Sequence, residues 1–133
     1  MKKIAALFVA LSLGLMADFT TIDNDTLLKL QAQGVPVIDI RTPGEWEMTG
    51  IIKGARKMMF FDPKGRPDMG NWFFELGHLV KDKNQPFILY CAHANRSHAL
   101  GDFLDKQMGF TKIYELKGGI ENGWIKASKP VVK

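Results

Sequence analysis

The chain has 133 residues, enough for one domain with a real core and hardly for two. Apolar residues make up 46% and charged residues 24%, which excludes a disordered chain. The formal charge of +4 falls to about +2 once Lys2 and Lys3 are set aside, and no Lys/Arg run stands out, so no nucleic-acid footprint is present in the sequence.

Met1-Lys-Lys is a basic start, Ile4 to Met16 an apolar run of 13 residues, and Ala17-Asp18 ends it. This is the layout of a secretory signal peptide. The run is too short to cross ~30 Å of hydrocarbon as a helix rising 1.5 Å per residue. Cleavage after Ala17 predicts a signal segment at 1–17 and one mature domain at 18–133, periplasmic or otherwise exported. A cleaved chain has no stable membrane insertion. Leu15 is larger than the small residue usual three positions before a cut, so an uncleaved N-terminal tether is the alternative, and a buried N-terminal helix is another. No cysteine sits at the boundary, which excludes a lipoprotein anchor. The single cysteine, Cys91, cannot form an internal disulfide, so such a lone thiol is either a small buried apolar residue or a used one.

Ile22 to Gln33 reads as a helix, with Asp23 as N-cap, Leu27, Leu28 and Leu30 as its apolar face, and Gly34 as its stop. Val35 to Ile40 is a short run rich in β-branched residues, typical of a strand buried on both faces. Thr42-Pro-Gly-Glu turns the chain into a short helix over Glu45 to Thr49, and Gly50 to Ala55 is a loop. Lys57 to Phe61 reads as a short strand, Asp62 to Gly70 as a Pro/Gly loop, and Trp72 to Lys81 as a helix whose aromatic residues face the core. Phe87 to Tyr90 is the clearest strand. A helix over Ser97 to Met108 follows, ended by Gly109, then a strand over Lys112 to Leu116, a Gly118-Gly119 turn, a helix over Ile120 to Ala127 and a frayed tail from Pro130. Strands alternating with helices predict an α/β fold: a central, mainly parallel sheet with helices on both faces.

In such a sheet, chemistry gathers at the carboxyl ends of the strands, and Cys91 stands at one. The residues after it, Ala92-His93-Ala94-Asn95-Arg96-Ser97, are small or polar. They let the backbone curl into a nest of inward N–H groups, and the next helix adds its positive N-terminus. Both favour a thiolate. Ser97 is placed to donate a hydrogen bond to sulfur or to a bound anion, and Arg96 to add charge at the rim. The loop therefore points to a nucleophilic cysteine. Cysteine phosphatases of the C-x5-R kind need arginine six positions after the cysteine; here the spacing is C-x4-R and position 97 is serine. The shorter loop makes a tighter cup, which disfavours phosphate and arsenate and favours a smaller group such as one sulfur atom.

Three blocks resemble the rhodanese family of sulfurtransferases. Cys91-Ala-His-Ala-Asn-Arg96-Ser97 looks like its active-site loop. Val37-Ile-Asp39-Ile-Arg41-Thr-Pro-Gly-Glu45-Trp46 is similar to its first block, and Gly109-Phe110, Leu116-Lys-Gly118-Gly119-Ile120 and Trp124 to its last. The resemblance spans about Thr21 to Trp124. It implies a rhodanese-like fold and a reaction without metal or organic cofactor. In that reaction Cys91 takes a sulfane sulfur from a small donor, becomes a persulfide and passes the sulfur to a thiol or other nucleophilic acceptor, including a protein. Residues Ala92 to Ser97 would bind the substrate sulfur through their amides. Asp39 and Arg41 would support the loop structurally.

The departures carry their own expectations. Ala92 stands where many members have a basic residue, which removes a cation that would face the thiosulfate dianion, and Ala94 stands where they have glycine. A non-catalytic sulfur-carrier or partner-binding module is the alternative function. Gly50-Ile-Ile-Lys-Gly54-Ala55 lacks a histidine and a proline usual in the family. His93 either tunes the thiolate or is a solvated loop residue. The spacing of Cys91, His93 and His98 fits no common zinc pattern. Arg66 and His78 read as surface residues.

Overall fold

Phe87-Ile-Leu-Tyr90 is apolar and buried at every position because it is the middle strand of a sheet covered on both sides. The computed structural model describes residues 19–133, so the signal-peptide reading of 1–17 lies outside the described residues. Five strands form one sheet: β1 (Phe19–Ile22), β2 (Val37–Asp39), β3 (Arg56–Lys57), β4 (Phe87–Tyr90) and β5 (Ile113–Leu116). Their order is β1-β5-β4-β2-β3, and every pairing is parallel. The expected α/β architecture with a central parallel sheet is the one that forms.

Alternation along β4 sorts the core. Phe87, Leu89 and Cys91 face one apolar cluster with Trp72 and Leu76 of α3 (Met69–Leu79) and Leu100 and Leu104 of α4 (Asn95–Met108). Ile88 and Tyr90 face the other, with Leu27 of α1 (Asn24–Ala32) and Ile120 and Trp124 of a π-helical segment, Ile120–Ile125. The remaining helix, α2 (Pro43–Thr49), follows β2 directly. Trp72 is buried to 1% exposure and donates from its indole N–H to the Met58 carbonyl at 2.9 Å, so its polar handle is satisfied inside the core.

Several segments differ from the expectation. β1 has no apolar run: Thr20 and Thr21 are exposed, and the strand is defined by main-chain pairing with β5 rather than by hydrophobicity. Ile22 closes that strand instead of opening α1, whose N-cap is Asp23 as expected, accepting from the Thr26 N–H at 2.8 Å. The expected strand at 57–61 begins and ends earlier, at Arg56–Lys57, although the chain stays beside the end of β2 through Met58 N–H to Asp39 carbonyl at 2.9 Å and Phe60 N–H to Ile40 carbonyl at 3.1 Å. The expected helix over 120–127 forms as a π-helix and is shorter, Ile120–Ile125. The tail is tied down, not frayed: Val132 and Ile51 exchange backbone bonds, Trp124 donates to the Pro130 carbonyl at 2.8 Å, and Lys133 caps the Glu47 carbonyl at 2.7 Å.

Candidate active site

β4 delivers Cys91 to the carboxyl edge of the sheet, and six residues later α4 is already under way. The turn between them is made by Ala94, whose φ of 75° is left-handed. A side chain with a Cβ is strained there, which is why glycine suits the position. The Cys91 carbonyl accepts from Ile120 N–H at 2.9 Å and the Ala92 carbonyl from Glu121 N–H at 3.0 Å. With its carbonyls spent on the π-helical segment, the loop keeps its amides for the other side. The N–H groups of His93, Ala94, Asn95 and Arg96 meet no acceptor among the described residues. That of Ser97 points at the Cys91 sulfur, 3.3 Å away. The thiol donates to Ser97 Oγ at 3.5 Å, and that hydroxyl donates to the Ala94 carbonyl at 3.1 Å. Asn95 Oδ1 is 3.9 Å from the sulfur. Unpaired amides at a helix N-terminus thus surround a loop with sulfur at its floor.

Arg96 turns away from the cup. Its two terminal nitrogens donate to the two oxygens of Glu45 at 2.8 and 2.7 Å, a bidentate fork between α4 and α2. Glu45 also closes the N-terminal capping box of α2, accepting from Thr42 N–H at 3.2 Å, while Thr42 Oγ1 accepts from Glu45 N–H at 3.4 Å. The hydrogen bonds from Arg96 hold the Glu45 carboxyl down at about 2, and Glu45 in turn raises the Arg96 pKa.

Asp39 and Arg41, both fully buried, lie behind this clamp. Arg41 Nε and Nη2 donate to the Asp39 carboxylate at 3.0 and 2.8 Å, and the same guanidinium reaches Thr49 Oγ1 at 2.7 Å and the Gly50 carbonyl at 2.8 Å. Burial opposes the charge on Arg41, but hydrogen bonding to Asp39 carries its pKa above the ordinary value. The pair thereby pins the far end of α2 to the end of β2, so Glu45 sits on a helix fixed at both ends. Tyr90 adds a neighbour: its hydroxyl accepts from Ile52 N–H at 3.0 Å, and burial pushes its pKa up.

Of the residues singled out in the sequence, Cys91, Ser97 and Asn95 converge on the sulfur. Ala92 is buried and Ala94 forms the turn. Arg96 is committed to Glu45, and His93 faces Glu121 at 3.1 Å on the outer side. His98 pairs with Glu115 instead, at 3.1 Å. Arg66 is held by Asp62 within its own loop at 2.7 Å. Phe74, expected in the core, is 68% exposed. Two residues that the sequence showed only as members of family-like blocks turn out to position the loop. Glu45 forks onto Arg96 and completes a Thr-x-x-Glu capping box. Gly119 packs so closely on the loop that a Cβ there would collide with the Cys91 and Ala92 carbonyls.

Fold and site together define a class: an α/β domain whose central strand ends in a cysteine cupped by amides. Residues 23–127 match the Rhodanese-like domain family, and the chain belongs to it. A curated relative, the thiosulfate sulfurtransferase GlpE of Ectopseudomonas mendocina, is 31% identical over 106 residues, covering 80% of this chain and 85% of its own. A rhodanese-related protein of Thermoplasma volcanium superimposes with a TM-score of 0.61 at 26% identity, over 85% of this chain and 97% of that one. The polysulfide-sulfur transferase homodimer of Wolinella succinogenes shares the fold, with a TM-score of 0.61 at 24% identity over 97% and 89% of the two chains. At the level of the family, the chemistry is sulfur transfer.

Proposed function

We propose that this chain is a sulfurtransferase in which Cys91 carries a sulfane sulfur as a persulfide and hands it to a thiol or other nucleophilic acceptor. The observation behind this reading is the cup itself: one amide and one hydroxyl at the sulfur, with four further loop amides unspent. A persulfide extends the side chain by one atom and puts its negative charge on the outer sulfur. Free amides at a helix N-terminus are the donors such a charge needs. Thiosulfate enters as a candidate donor through the relative's name. Transfer from a sulfane donor to a small thiol, followed at steady state, tests the reading. Turnover that vanishes in Cys91→Ser is expected; equal turnover in that variant contradicts it.

A second reading has its own support. Cys91 is 0% exposed, so the resting protein shows no sulfur to solvent, as a partner-binding module would not need to. A partner whose affinity survives Cys91→Ser, together with no turnover, favours that module. Export is part of the proposal and rests on the 1–17 segment of the sequence. Among the described residues, no helix is long and apolar enough to cross a membrane.

A further inference from the structure

Consecutive side chains in the first turn of α4 reach different parts of the molecule. Arg96 forks onto Glu45 of α2, Ser97 addresses the Cys91 sulfur, and His98 crosses to the sheet. His98 Nδ1 lies 3.1 Å from Glu115 Oε2 on β5, and the same oxygen accepts from Thr21 Oγ1 of β1 at 2.9 Å. The Phe19 ring backs the imidazole, with ring centres 5.1 Å apart. Glu115 is 5% exposed, and its other oxygen, Oε1, is buried with no donor among the described residues. A carboxylate so far out of water needs a counter-charge. Among the described residues, His98 is the cation within ion-pair distance of it. Asp102, one turn along α4 from His98, is paired with Lys106 at 3.0 Å, and Asp105 follows on the same face. β1 brings Phe19 and Thr21, and β4 sets Leu89 opposite Glu115, so neither strand adds a charge.

Ala94 joins this brace to the cup. Its carbonyl accepts both the His98 N–H at 2.9 Å and the Ser97 hydroxyl at 3.1 Å. Ser97 is the residue whose N–H and hydroxyl lie at the sulfur, 3.3 and 3.5 Å away. A shift of His98 therefore moves the groups around Cys91 although His98 does not touch the sulfur. We propose that His98 is a positioning residue for the sulfur site: its imidazolium, paired with buried Glu115, draws the first turn of α4 against β5 and so sets Ser97 on Cys91. A neutral imidazole keeps a hydrogen bond but leaves Glu115 without a counter-charge, and the hold slackens. The sign follows: the site is best ordered at the acid end of the histidine range and loses that order as pH rises and His98 gives up its proton. The kinetic consequence rests on the persulfide reading above; the brace itself does not.

The test compares wild type with His98→Gln, Glu115→Gln and the double variant. The His98 side chain is largely exposed and glutamine is close in shape to glutamate, so each protein should fold. Second-order rates of Cys91 persulfidation by thiosulfate are followed from about pH 5.5 to 8, across the histidine range, beside the His98 imidazole titration read by NMR. Wild type should react about threefold faster than either single variant at the acid end, the margin of a charge-assisted over a neutral hydrogen bond. That ratio should fall to one with the midpoint of the imidazole, and the double variant should lose no more than one single variant. A ratio that ignores pH, a change that follows some other midpoint, or losses that multiply in the double variant overturn the assignment. Amide exchange of Ser97 reads the brace without sulfur chemistry. Its protection should be higher in wild type than in His98→Gln at acid pH and equal above the imidazole midpoint; equal protection throughout overturns the brace. No persulfide in wild type together with pH-dependent protection upholds the brace and counts against the sulfur-transfer reading instead.

Discussion

Ser97 reaches the Cys91 sulfur through its N–H at 3.3 Å and its hydroxyl at 3.5 Å, while Arg96 beside it spends its guanidinium on Glu45. The fork ties the loop to α2 and uses two of the five N–H donors of Arg96. Replacing Glu45 by Gln removes the carboxylate that both Arg96 and the α2 capping box use. The carboxyl is held at about 2 in the fold against an ordinary 4.5. Its stabilising contribution is therefore complete above pH 4.5 and is lost as pH falls toward about 2. Urea unfolding should show wild type more stable than Glu45→Gln above pH 4.5, with the gap closing as the pH approaches about 2; a gap unchanged with pH would contradict the clamp. Ala94 gives a second residue-scale prediction. Its φ of 75° is strained for alanine, so Ala94→Gly should stabilise the protein by about 0.5–1 kcal/mol after glycine's extra chain entropy is subtracted, read as a higher urea midpoint.

The loop is shaped by the elements around it. α4 contributes its first-turn amides, α2 contributes Glu45, and the π-helical segment takes the two loop carbonyls through Ile120 and Glu121. Gly119 is where that last element touches the loop, so Gly119→Ala must push the two apart. The expected result is a variant that still folds, with persulfide formation slowed by at least tenfold; unchanged kinetics would show that the loop does not need this backing. The strand–loop–helix unit from Phe87 to Met108 was readable in the sequence because an apolar run, small residues and a 3.6-residue period meet there. The role of Glu45 was not, because a capping box looks alike whether or not an arginine from residue 96 reaches it. β1 was missed for a related reason: its two threonines face solvent, and only the distant partner β5 makes it a strand. The last helix was legible as a helix, but not its π form or its close approach of Gly123 to the Lys117 carbonyl, where a Cβ would not fit.

Across the whole molecule, one parallel sheet separates two apolar clusters, and β4 contributes side chains to both. Cys91, one residue beyond β4, belongs to the cluster under α3 and α4, so the site is an extension of the core. Trp72 anchors the same cluster from α3, stacking edge-on against Phe60 with ring centres 5.4 Å apart. Trp72→Ala should cost about 3–5 kcal/mol in a single cooperative transition; two separated transitions would mean that the clusters unfold independently. The central claim is that Cys91 holds one sulfur atom in the amide cup. Its most direct test is the intact mass of the protein after exposure to a sulfane donor and removal of the excess. The account predicts a species heavier by one sulfur atom, localised to the peptide containing Cys91 and absent in Cys91→Ala. An unmodified mass with every donor tried, or the same adduct in the alanine variant, would contradict it.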